Sequence, residues 1–372
     1  MNFSYWENKE LIGENDVVII GSGITGLSTA IHLKRKSPSL KVLILERGIL
    51  PWGASTKNAG FACFGSLGEV LDDLQNTSLD EIVRLIESRN TGLNALINLL
   101  GEDAIDFQLN GGFELFRPDQ KEEYVACLDR MGDLNDVLRK EFGGSVYSKE
   151  ERDFGFEGVI GIIKNQYEGQ VDTGKMMKAY LDLARKEGVN IINGAEVTQY
   201  SSTESGVELE INNNLTIKTG KLVICSNGFA KQFLNEDVEP ARAQVLITKP
   251  IPNLPLKGTF HYDKGYYYFR NIHNRVLFGG GRNLNFKGEN TTEMECTEQV
   301  INRLKDILSN VILPTTNYEV DYHWAGIMGV GDNKEPIIKE VGNNILCAVR
   351  LGGMGVALGT MVGKEAAKKV IG

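Results

Sequence analysis

Residues 16–48 read DVVIIGSGITGLSTAIHLKRKSPSLKVLILERG, and the architecture expected for the rest of the chain follows from this stretch. Val17 to Ile20 form an apolar, β-branched run, which is typical of a parallel strand buried on both faces. Apolar residues at helical spacing follow, and Ser37-Pro38 ends the predicted helix. Val42 to Leu45 form a second apolar run, which Glu46 closes. The order predicts a strand, a helix and a second strand of one parallel sheet.

The turn between the first strand and the helix has the spacing G-x-G-x-x-G, at Gly21, Gly23 and Gly26. In dinucleotide-binding units the first glycine permits the tight turn, the second lets the backbone approach a pyrophosphate, and the third allows close helix–strand packing. Glu46 lies 25 positions after Gly21, where a carboxylate can accept hydrogen bonds from a ribose diol. Because an acid there disfavours a ribose 2′-phosphate, the ligand is predicted to be FAD or NAD rather than NADP.

Composition and charge limit the class of protein. The chain has 372 residues, of which 42% are hydrophobic, so two domains with separate cores are expected. The net charge of −9 provides no basic surface for a polyanion, so nucleic acid is not a predicted partner. Residues 1–14 are too polar for a signal peptide, and no apolar run approaches the ~20 residues that span a membrane. A cytoplasmic location without a membrane span is therefore expected.

Cysteine and histidine spacing supports neither a dithiol relay nor a metal centre. The five cysteines form no C-x-x-C pair, and the four histidines show no ligand spacing. No metal site is predicted.

Residues 53–61 read GASTKNAGF, a loop dense in small and hydroxyl residues that can present backbone N–H groups to an anion. With the glycine turn, this loop resembles the D-amino-acid oxidase, glycine oxidase and sarcosine oxidase superfamily of FAD enzymes. There, a GAS-x-(R/K)-N-x-G loop follows the second strand and runs along the pyrophosphate toward the flavin ring. Further similar segments occur in the family's order: Gly169–Asp172, Asn193–Val197, Leu222–Gly228 and Leu351–Val356.

The resemblance implies a non-covalently bound FAD. Cys63 lies near the expected flavin, and it is the alternative point of attachment if the cofactor is covalent. The residues that the resemblance assigns to the cofactor are Gly21, Ser22, Gly23, Ile24, Thr25, Gly26, Glu46, Arg47, Ser55, Thr56, Lys57, Asn58, Ala59, Gly60, Val197, Ser226, Asn227, Gly228, Gly352, Gly353, Met354, Gly355 and Val356.

The expected fold class is α/β with an α+β second domain. A doubly wound, parallel-sheet FAD domain is predicted over residues 1–75, 155–238 and 322–372. A substrate domain with a mainly antiparallel sheet and covering helices is predicted over residues 76–154 and 239–321. Elements predicted from periodicity include helices at Leu79–Leu100, Gln120–Glu141 and Thr291–Leu308, a first-sheet strand at Val159–Ile163, and a second-sheet strand at Thr259–Phe269.

Two arginines and a tyrosine are the candidate catalytic residues. Strand alternation sends Tyr266, Tyr268 and Arg270 to one face, and the resemblance includes a similar Y-x-R segment near the flavin. Arg350 follows an apolar run, where a charge is costly unless it is paired or faces a wet cleft. Tyr268, Arg270 and Arg350 are therefore predicted to face the substrate, and a structural ion pair is the alternative for Arg350.

Two positions depart from the family pattern. Met328 stands where glycine oxidase and D-amino-acid oxidase lead one to expect an arginine that clamps a substrate carboxylate, and Met354 stands where the last turn usually has histidine. The segments Gly329–Pro336 and Ser4–Glu7 are closer to the branch that includes γ-glutamylputrescine oxidase. The substrate either lacks an α-carboxylate, or the clamp has moved to Arg270 or Arg350.

The function implied is oxidation of an amine or amino acid to an imine by hydride transfer to flavin N5, followed by hydrolysis, with oxygen or another acceptor reoxidising the flavin. Within the same fold, the alternative is oxidation of a hydroxy acid or glycerol phosphate. From other classes, the alternatives are a NAD-dependent dehydrogenase, which would be colourless, and a nucleotide-binding module without catalysis.

Overall fold

The computed structural model describes residues 4–372, so residues 1–3 of the predicted FAD domain lie outside the described part. The strands are β1 Asn15–Ile20, β2 Val42–Glu46, β3 Phe61–Ala62, β4 Gly112–Phe116, β5 Tyr147–Lys149, β6 Gly161–Asn165, β7 Gly169–Gln170, β8 Asn190–Asn193, β9 Val197–Ser202, β10 Val207–Ile211, β11 Leu215–Ile224, β12 Glu239–Thr248, β13 Thr259–Tyr262, β14 Tyr267–Ile272, β15 Arg275–Gly280, β16 Val320–Val330, β17 Ile337–Gly342 and β18 Ile345–Val349. The helices are α1 Ile24–Lys36, α2 Leu67–Asp73, α3 Leu79–Leu100, α4 Glu102–Ile105, α5 Lys121–Phe142, α6 Thr173–Lys186, α7 Glu298–Ile307 and α8 Gly355–Ile371.

The first sheet has the order β17-β18-β11-β1-β2-β8, and its five strands from β18 to β8 are parallel. Val17 and Ile19 of β1 face a core shared with α1, α3, α6 and α8, whereas Val18 and Ile20 face the hairpin of β9 and β10. Both faces of β1 are thus buried from Val17 to Ile20, which is why this run is apolar rather than alternating.

The second sheet has the order β16-β12-β15-β14-β13-β4-β6-β5 and is mostly antiparallel. One face packs under α7, where the phenyl rings of Phe260 and Phe269 stack with centroids 4.8 Å apart. The side chains that alternate with them, His261 and Tyr268, lie on the other face and line a cleft toward the first sheet. The mixed α/β architecture expected from the sequence is confirmed.

Three predicted elements are wrong in place or extent. The strand predicted at Val159–Ile163 is Gly161–Asn165, and it pairs with β4 and β5 in the second sheet, not the first. The strand predicted at Thr259–Phe269 is two strands, because Asp263, Lys264 and Gly265 have positive φ angles of 52°, 51° and 81° and form a turn. The helix predicted from Thr291 begins only at Glu298.

Strands β6 and β16 belong to the second sheet, although their residues fall largely in segments expected to form the FAD domain. We therefore propose the same two-domain division, with β6 and β16 moved to the substrate domain. Within residues 4–372, no helix has both the length and the apolar character needed to cross a membrane.

Candidate active site

The glycine turn between β1 and α1 is as tight as its spacing predicts. Gly21 has a φ of 99°, and a Cβ on Gly26 would lie only 2.0 Å from the carbonyl oxygen of Gly21. The N–H of Ile24, in the first turn of α1, donates to Oγ of Ser55 over 3.0 Å. A hydroxyl oxygen thus lies at a helix N-terminus, where phosphate oxygens bind in dinucleotide sites.

Glu46 ends β2 and is 5% exposed at the floor of the cleft. Its Oε2 accepts hydrogen bonds from the N–H of Ser22 over 3.0 Å and from Oγ of Ser22 over 2.8 Å. Its Oε1 accepts the N–H of Gly48 over 3.0 Å. Because these donors fix the carboxylate, it is held in one orientation for a ligand.

The loop that begins at Gly53 is held by its own asparagine and by an arginine of the second sheet. Oδ1 of Asn58 accepts the N–H of Gly60 over 2.9 Å and the hydroxyl of Thr173 over 3.0 Å. The guanidinium of Arg270 donates to the carbonyl oxygens of Gly60 and Val171, both over 2.7 Å. These contacts tie the loop to the start of α6 and to β14.

The opposite wall of the dinucleotide site comes from the end of β11 and from the turn before α8. Gly352 and Gly353 have φ angles of 57° and 82° and form that turn. Oδ1 of Asn227 accepts the N–H groups of Arg350 over 3.0 Å and Leu351 over 3.2 Å, which joins the two segments. Oγ of Ser226 is buried with no hydrogen-bond partner in residues 4–372.

These walls enclose a cleft of about 580 Å³ between the two sheets, a volume typical of cofactor and ligand sites. Among the predicted cofactor residues, Ser22, Gly26 and Thr56 lie behind its surface. Ser22 holds Glu46, and Thr56 donates to the carbonyl oxygen of Pro51 over 2.8 Å. The predicted residues that line the cleft are Gly21, Gly23, Ile24, Thr25, Glu46, Arg47, Ser55, Lys57, Asn58, Ala59, Gly60, Val197, Ser226, Asn227, Gly228, Gly352, Gly353, Met354, Gly355 and Val356.

Two cations in the cleft stack on aromatic rings. The guanidinium of Arg47 lies 3.7 Å from the centroid of the Phe229 ring, and the ammonium of Lys57 lies 4.5 Å from that of Trp52. Burial lowers the pKa of both side chains. A cation that has lost part of its hydration gains most from an anionic ligand, such as the pyrophosphate of a dinucleotide.

The structure places neither Arg270 nor Arg350 in the cleft wall. Arg270 is 2% exposed and donates to the two backbone carbonyls described above, and burial lowers its pKa to about 10. Arg350 pairs with Asp237, and it also donates to Oδ1 of Asn333 over 2.6 Å and to the carbonyl oxygen of Glu335 over 2.9 Å. We therefore propose that both arginines are structural, which is the alternative that the sequence left open for Arg350.

Tyr268 does line the cleft, and burial raises its pKa to about 12. Its ring meets the Phe61 ring edge-on, with centroids 5.6 Å apart. Tyr266, expected on the same strand face, precedes β14 in the turn, is 39% exposed, and also lines the cleft.

Several residues of the substrate wall were not predicted. Arg282 follows β15, and its guanidinium lies 5.3 Å from the centroid of Phe286. Within residues 4–372 this guanidinium donates no hydrogen bond, and its buried Nε has no partner. Glu289, the nearby carboxylate, is bound by Arg242 through contacts of 2.7 and 3.0 Å. Other unpredicted residues of this wall are Phe61, Glu69, His261 and Lys264, and Cys63, named from the sequence as the alternative point of attachment, also lies there.

A parallel-sheet cradle of the dinucleotide-binding type faces a second, mostly antiparallel sheet across one cleft, an arrangement typical of dinucleotide-dependent enzymes. The family model "DAO: FAD dependent oxidoreductase" matches residues 16–369, and the chain therefore belongs to this family. The family resemblance and the cofactor expected from the sequence, FAD, are confirmed, and the NAD alternative is overturned.

Individual relatives are distant but extend over most of the chain. A probable oxidoreductase, OrdL, of Haemophilus influenzae is 20% identical over 381 residues, with 96% of this chain and 83% of the relative covered. Gamma-glutamylputrescine oxidoreductase of Escherichia coli is 22% identical over 385 residues, with 96% and 84% covered. The crystal structure of glycine oxidase from Geobacillus kaustophilus has a TM-score of 0.75 at 19% identity, with 96% and 95% covered, and it shows the fold shared with this chain.

The residues of the cleft fit FAD. The hydroxyl of Ser226, which lines the cleft, has no partner in residues 4–372, and the first turn of α1 opens onto the cleft. The first turn of α1 and the loop that begins at Gly53 would hold the pyrophosphate, and Glu46 would accept the ribose hydroxyls. Val197 would lie at the adenine.

We expect the flavin to be released by heat or acid, because the one cysteine of the cleft's substrate wall is poorly suited to attachment. Cys63 is 6% exposed, and burial raises the pKa of its thiol well above the usual value. A thiol is nucleophilic as its thiolate, so this environment suppresses the reactive form. Absorbance of the supernatant near 450 nm after acid precipitation measures the release. Flavin retained in the pellet would contradict non-covalent binding.

Replacement of Glu46 with alanine should weaken FAD binding by about ten- to a hundredfold. A hydrogen bond to a charged group is worth roughly 1.5–3 kcal/mol, and Glu46→Ala removes the carboxylate that is held for the ribose. Quenching of flavin fluorescence on titration of the apoprotein measures the dissociation constant. Glu187→Ala, which removes an ion pair with Arg35 away from the cleft, is the control. Equal dissociation constants for Glu46→Ala and this control would place the ribose elsewhere.

Proposed function

We propose that the protein oxidises an amine or an amino acid. The amine-bearing carbon would give up a hydride to flavin N5, and the resulting imine would hydrolyse to a carbonyl compound and ammonia or an amine. Family membership supports the flavin chemistry, and matches to proteins named glycine oxidase and gamma-glutamylputrescine oxidoreductase support an amine donor.

The observation that carries this proposal is the composition of the wall opposite the dinucleotide site. Tyr268, His261 and Arg282 line one cleft together with the FAD cradle. This wall offers a hydroxyl, an imidazole and a cation to a small polar molecule, and small-molecule sites use a few such groups to fix orientation.

The cation of this wall indicates the substrate class. Met328 lines the cleft at the position where the family pattern led us to expect an arginine, so the carboxylate clamp is not there. Arg282 is a cation of the same cleft without a carboxylate partner in residues 4–372, and burial lowers its pKa. An anion from the substrate would satisfy it. We therefore propose an amino acid, or another amine that carries a carboxylate, as the electron donor.

Anaerobic mixing of the purified protein with amines, amino acids and hydroxy acids tests the proposed reaction. Loss of flavin absorbance near 450 nm with an amine, and with no hydroxy acid, is the expected result. Bleaching by hydroxy acids alone would establish the alternative alcohol oxidation instead. An oxygen electrode, compared with an artificial acceptor, then separates an oxidase from a dehydrogenase.

A further inference from the structure

His261 lies in the middle of a polar row that crosses three neighbouring strands of the second sheet. In the sheet register it pairs with Tyr268 of β14 on one side and with Glu114 of β4 on the other. The residues that alternate with this row along the strands, such as Phe260 and Phe269, face the apolar core under α7. Alternation along these strands therefore sends a buried imidazole and a buried acid to the cleft side of the sheet.

A second buried carboxylate lies directly behind the imidazole. His261 is 6% exposed and lines the cleft, and its Nε2 is buried 3.8 Å from Oε2 of Glu168. Nε2 has no hydrogen-bond partner in residues 4–372. Oε1 of Glu168 accepts the N–H groups of Phe64 over 2.9 Å and Gly65 over 3.0 Å, which fixes the carboxylate. Because Nε2 is the nitrogen beside Glu168, Nδ1 is the ring nitrogen left for a ligand in the cleft.

An amine oxidised through its free electron pair must first lose the proton that it carries at neutral pH. Resting on the proposed function, we propose that His261, supported by Glu168, takes this proton from the ammonium group of the substrate. One N–H bond of the ammonium breaks and its electron pair stays on nitrogen. The proton forms a bond with the lone pair of Nδ1 of His261, so the step is a proton transfer in which nothing is oxidised or reduced. The product is a neutral amine beside an imidazolium that Glu168 stabilises.

The surrounding groups suit this proton transfer. Burial raises the pKa of Glu114 to about 8, which favours its neutral form, so this neighbour competes less than a charged carboxylate would for the imidazolium. Burial also raises the pKa of Glu168, whereas a charged His261 and the N–H groups of Gly65 and Phe64 favour its ionised form. The other titratable groups around the pair are Glu69, Tyr268, Cys63, Tyr147 and Arg89.

The chain has four histidines, few enough for the ¹⁵N signals of each ring to be told apart. The protonation state of His261 can therefore be measured without turnover. The probe is 2-aminoisobutyrate, an amino acid without a hydrogen on its α-carbon, added to ¹⁵N-histidine-labelled, FAD-loaded protein until the visible spectrum stops changing. The Nδ1 signal of His261 is the one that is missing from the spectrum of His261→Asn. In the protein that retains His261, we expect the probe to move this signal to the position of an imidazolium. The same shift should occur in His323→Asn, an exposed control in β16. An Nδ1 signal that stays at the neutral position with bound probe would overturn the proposal.

Kinetics give an independent test. For an amine that bleaches the wild-type flavin, we expect kcat/KM of His261→Asn at pH 7 to fall about 100-fold, within the range of general-base effects. The value should then rise about tenfold per pH unit until the free amine itself becomes abundant. Glu168→Gln should show a smaller fall in kcat/KM at pH 7 than His261→Asn, and it should retain its FAD. If no amine bleaches the wild-type protein, the proposed function fails. If amines do, and His261→Asn keeps the wild-type pH profile, only the role of His261 fails.

Discussion

Gly26→Ala is expected to weaken FAD binding by ten- to a hundredfold or more, while the second sheet stays folded. The new Cβ would lie 2.0 Å from the carbonyl oxygen of Gly21 and 3.4 Å from Cγ2 of Ile19. Gly21 cannot yield freely, since its N–H donates to the carbonyl oxygen of Leu45 over 2.9 Å. Relief of the clash requires α1 to move away from β1. Overpacking of this kind costs roughly 1–3 kcal/mol, and here the cost falls on the pyrophosphate site.

The control for this variant is Gly132→Ala, within α5. A Cβ at Gly132 would meet no atom within 4 Å, so alanine should raise stability by roughly 0.5–1 kcal/mol and leave FAD binding unchanged. Titration of the apoproteins with FAD and thermal unfolding of each protein measure the two effects. Wild-type affinity in Gly26→Ala would show that the turn can open without loss of the cofactor.

The first nucleotide-binding unit could be predicted from sequence because its determinants are local. The apolar run of β1, the glycine spacing and the helix stop at Ser37 act over short distances, and β1, α1 and β2 occur within a residue or two of their predicted bounds. The family motifs extended this to the far wall of the cleft, including Gly352 and Gly353. Local chemistry also explains why the strand predicted at Thr259–Phe269 is divided in two: Asp263-Lys264-Gly265 is a turn sequence that the aromatic pattern around it obscured.

The hydrogen-bond and ion-pair partners of side chains were harder to predict than the sheet face on which each side chain lies. Tyr268 and Arg270 share a face, as alternation indicates, but the guanidinium of Arg270 meets the carbonyls of Gly60 and Val171 rather than the cleft. The sequence does not reveal that these two loops pass over the end of β14. Arg350 has a φ of 64°, and its side chain extends to Asp237. In both cases long-range packing determined the partner.

The His261–Glu168 pair was missed for the same reason. His261 in β13 and Glu168, between β6 and β7, are far apart in sequence, and the pairing of β13 with β4 and of β4 with β6 brings them together. A signal was nevertheless present for His261 and its strand neighbour Glu114, although not for Glu168, because the sequences Phe113-Glu114-Leu115 and Phe260-His261-Tyr262 each place a polar residue between two large apolar ones. In a sheet with one buried face, such residues point to the opposite face together.

Arg282→Met should reduce kcat/KM for a carboxylated donor by about 10²-fold and leave a donor without a carboxylate within about threefold. Methionine keeps much of the side-chain volume and removes the charge. Loss of one partner of a hydrogen-bonded charge pair costs about 2–5 kcal/mol, and the lower part of this range, roughly 2–3 kcal/mol, corresponds to a loss of about 30- to 160-fold. Because Arg282 donates no hydrogen bond within residues 4–372, its replacement breaks no internal hydrogen bond there. Steady-state or anaerobic stopped-flow measurements with a matched pair of donors give the two values.

Arg270→Met and Arg350→Met provide the comparison that separates a clamp from a structural cation. Arg270→Met leaves the carbonyl oxygens of Gly60 and Val171 without their guanidinium donor, and Arg350→Met leaves the Asp237 carboxylate without its ion-pair partner. Each should lower the unfolding temperature, and any loss of kcat/KM should be the same for both donors. Arg282→Met should show the reverse pattern, with little change in unfolding temperature and a loss confined to the carboxylated donor. If Arg282→Met affects the two donors equally, the active amine does not contact Arg282, and a donor without an α-carboxylate becomes the better description of the substrate.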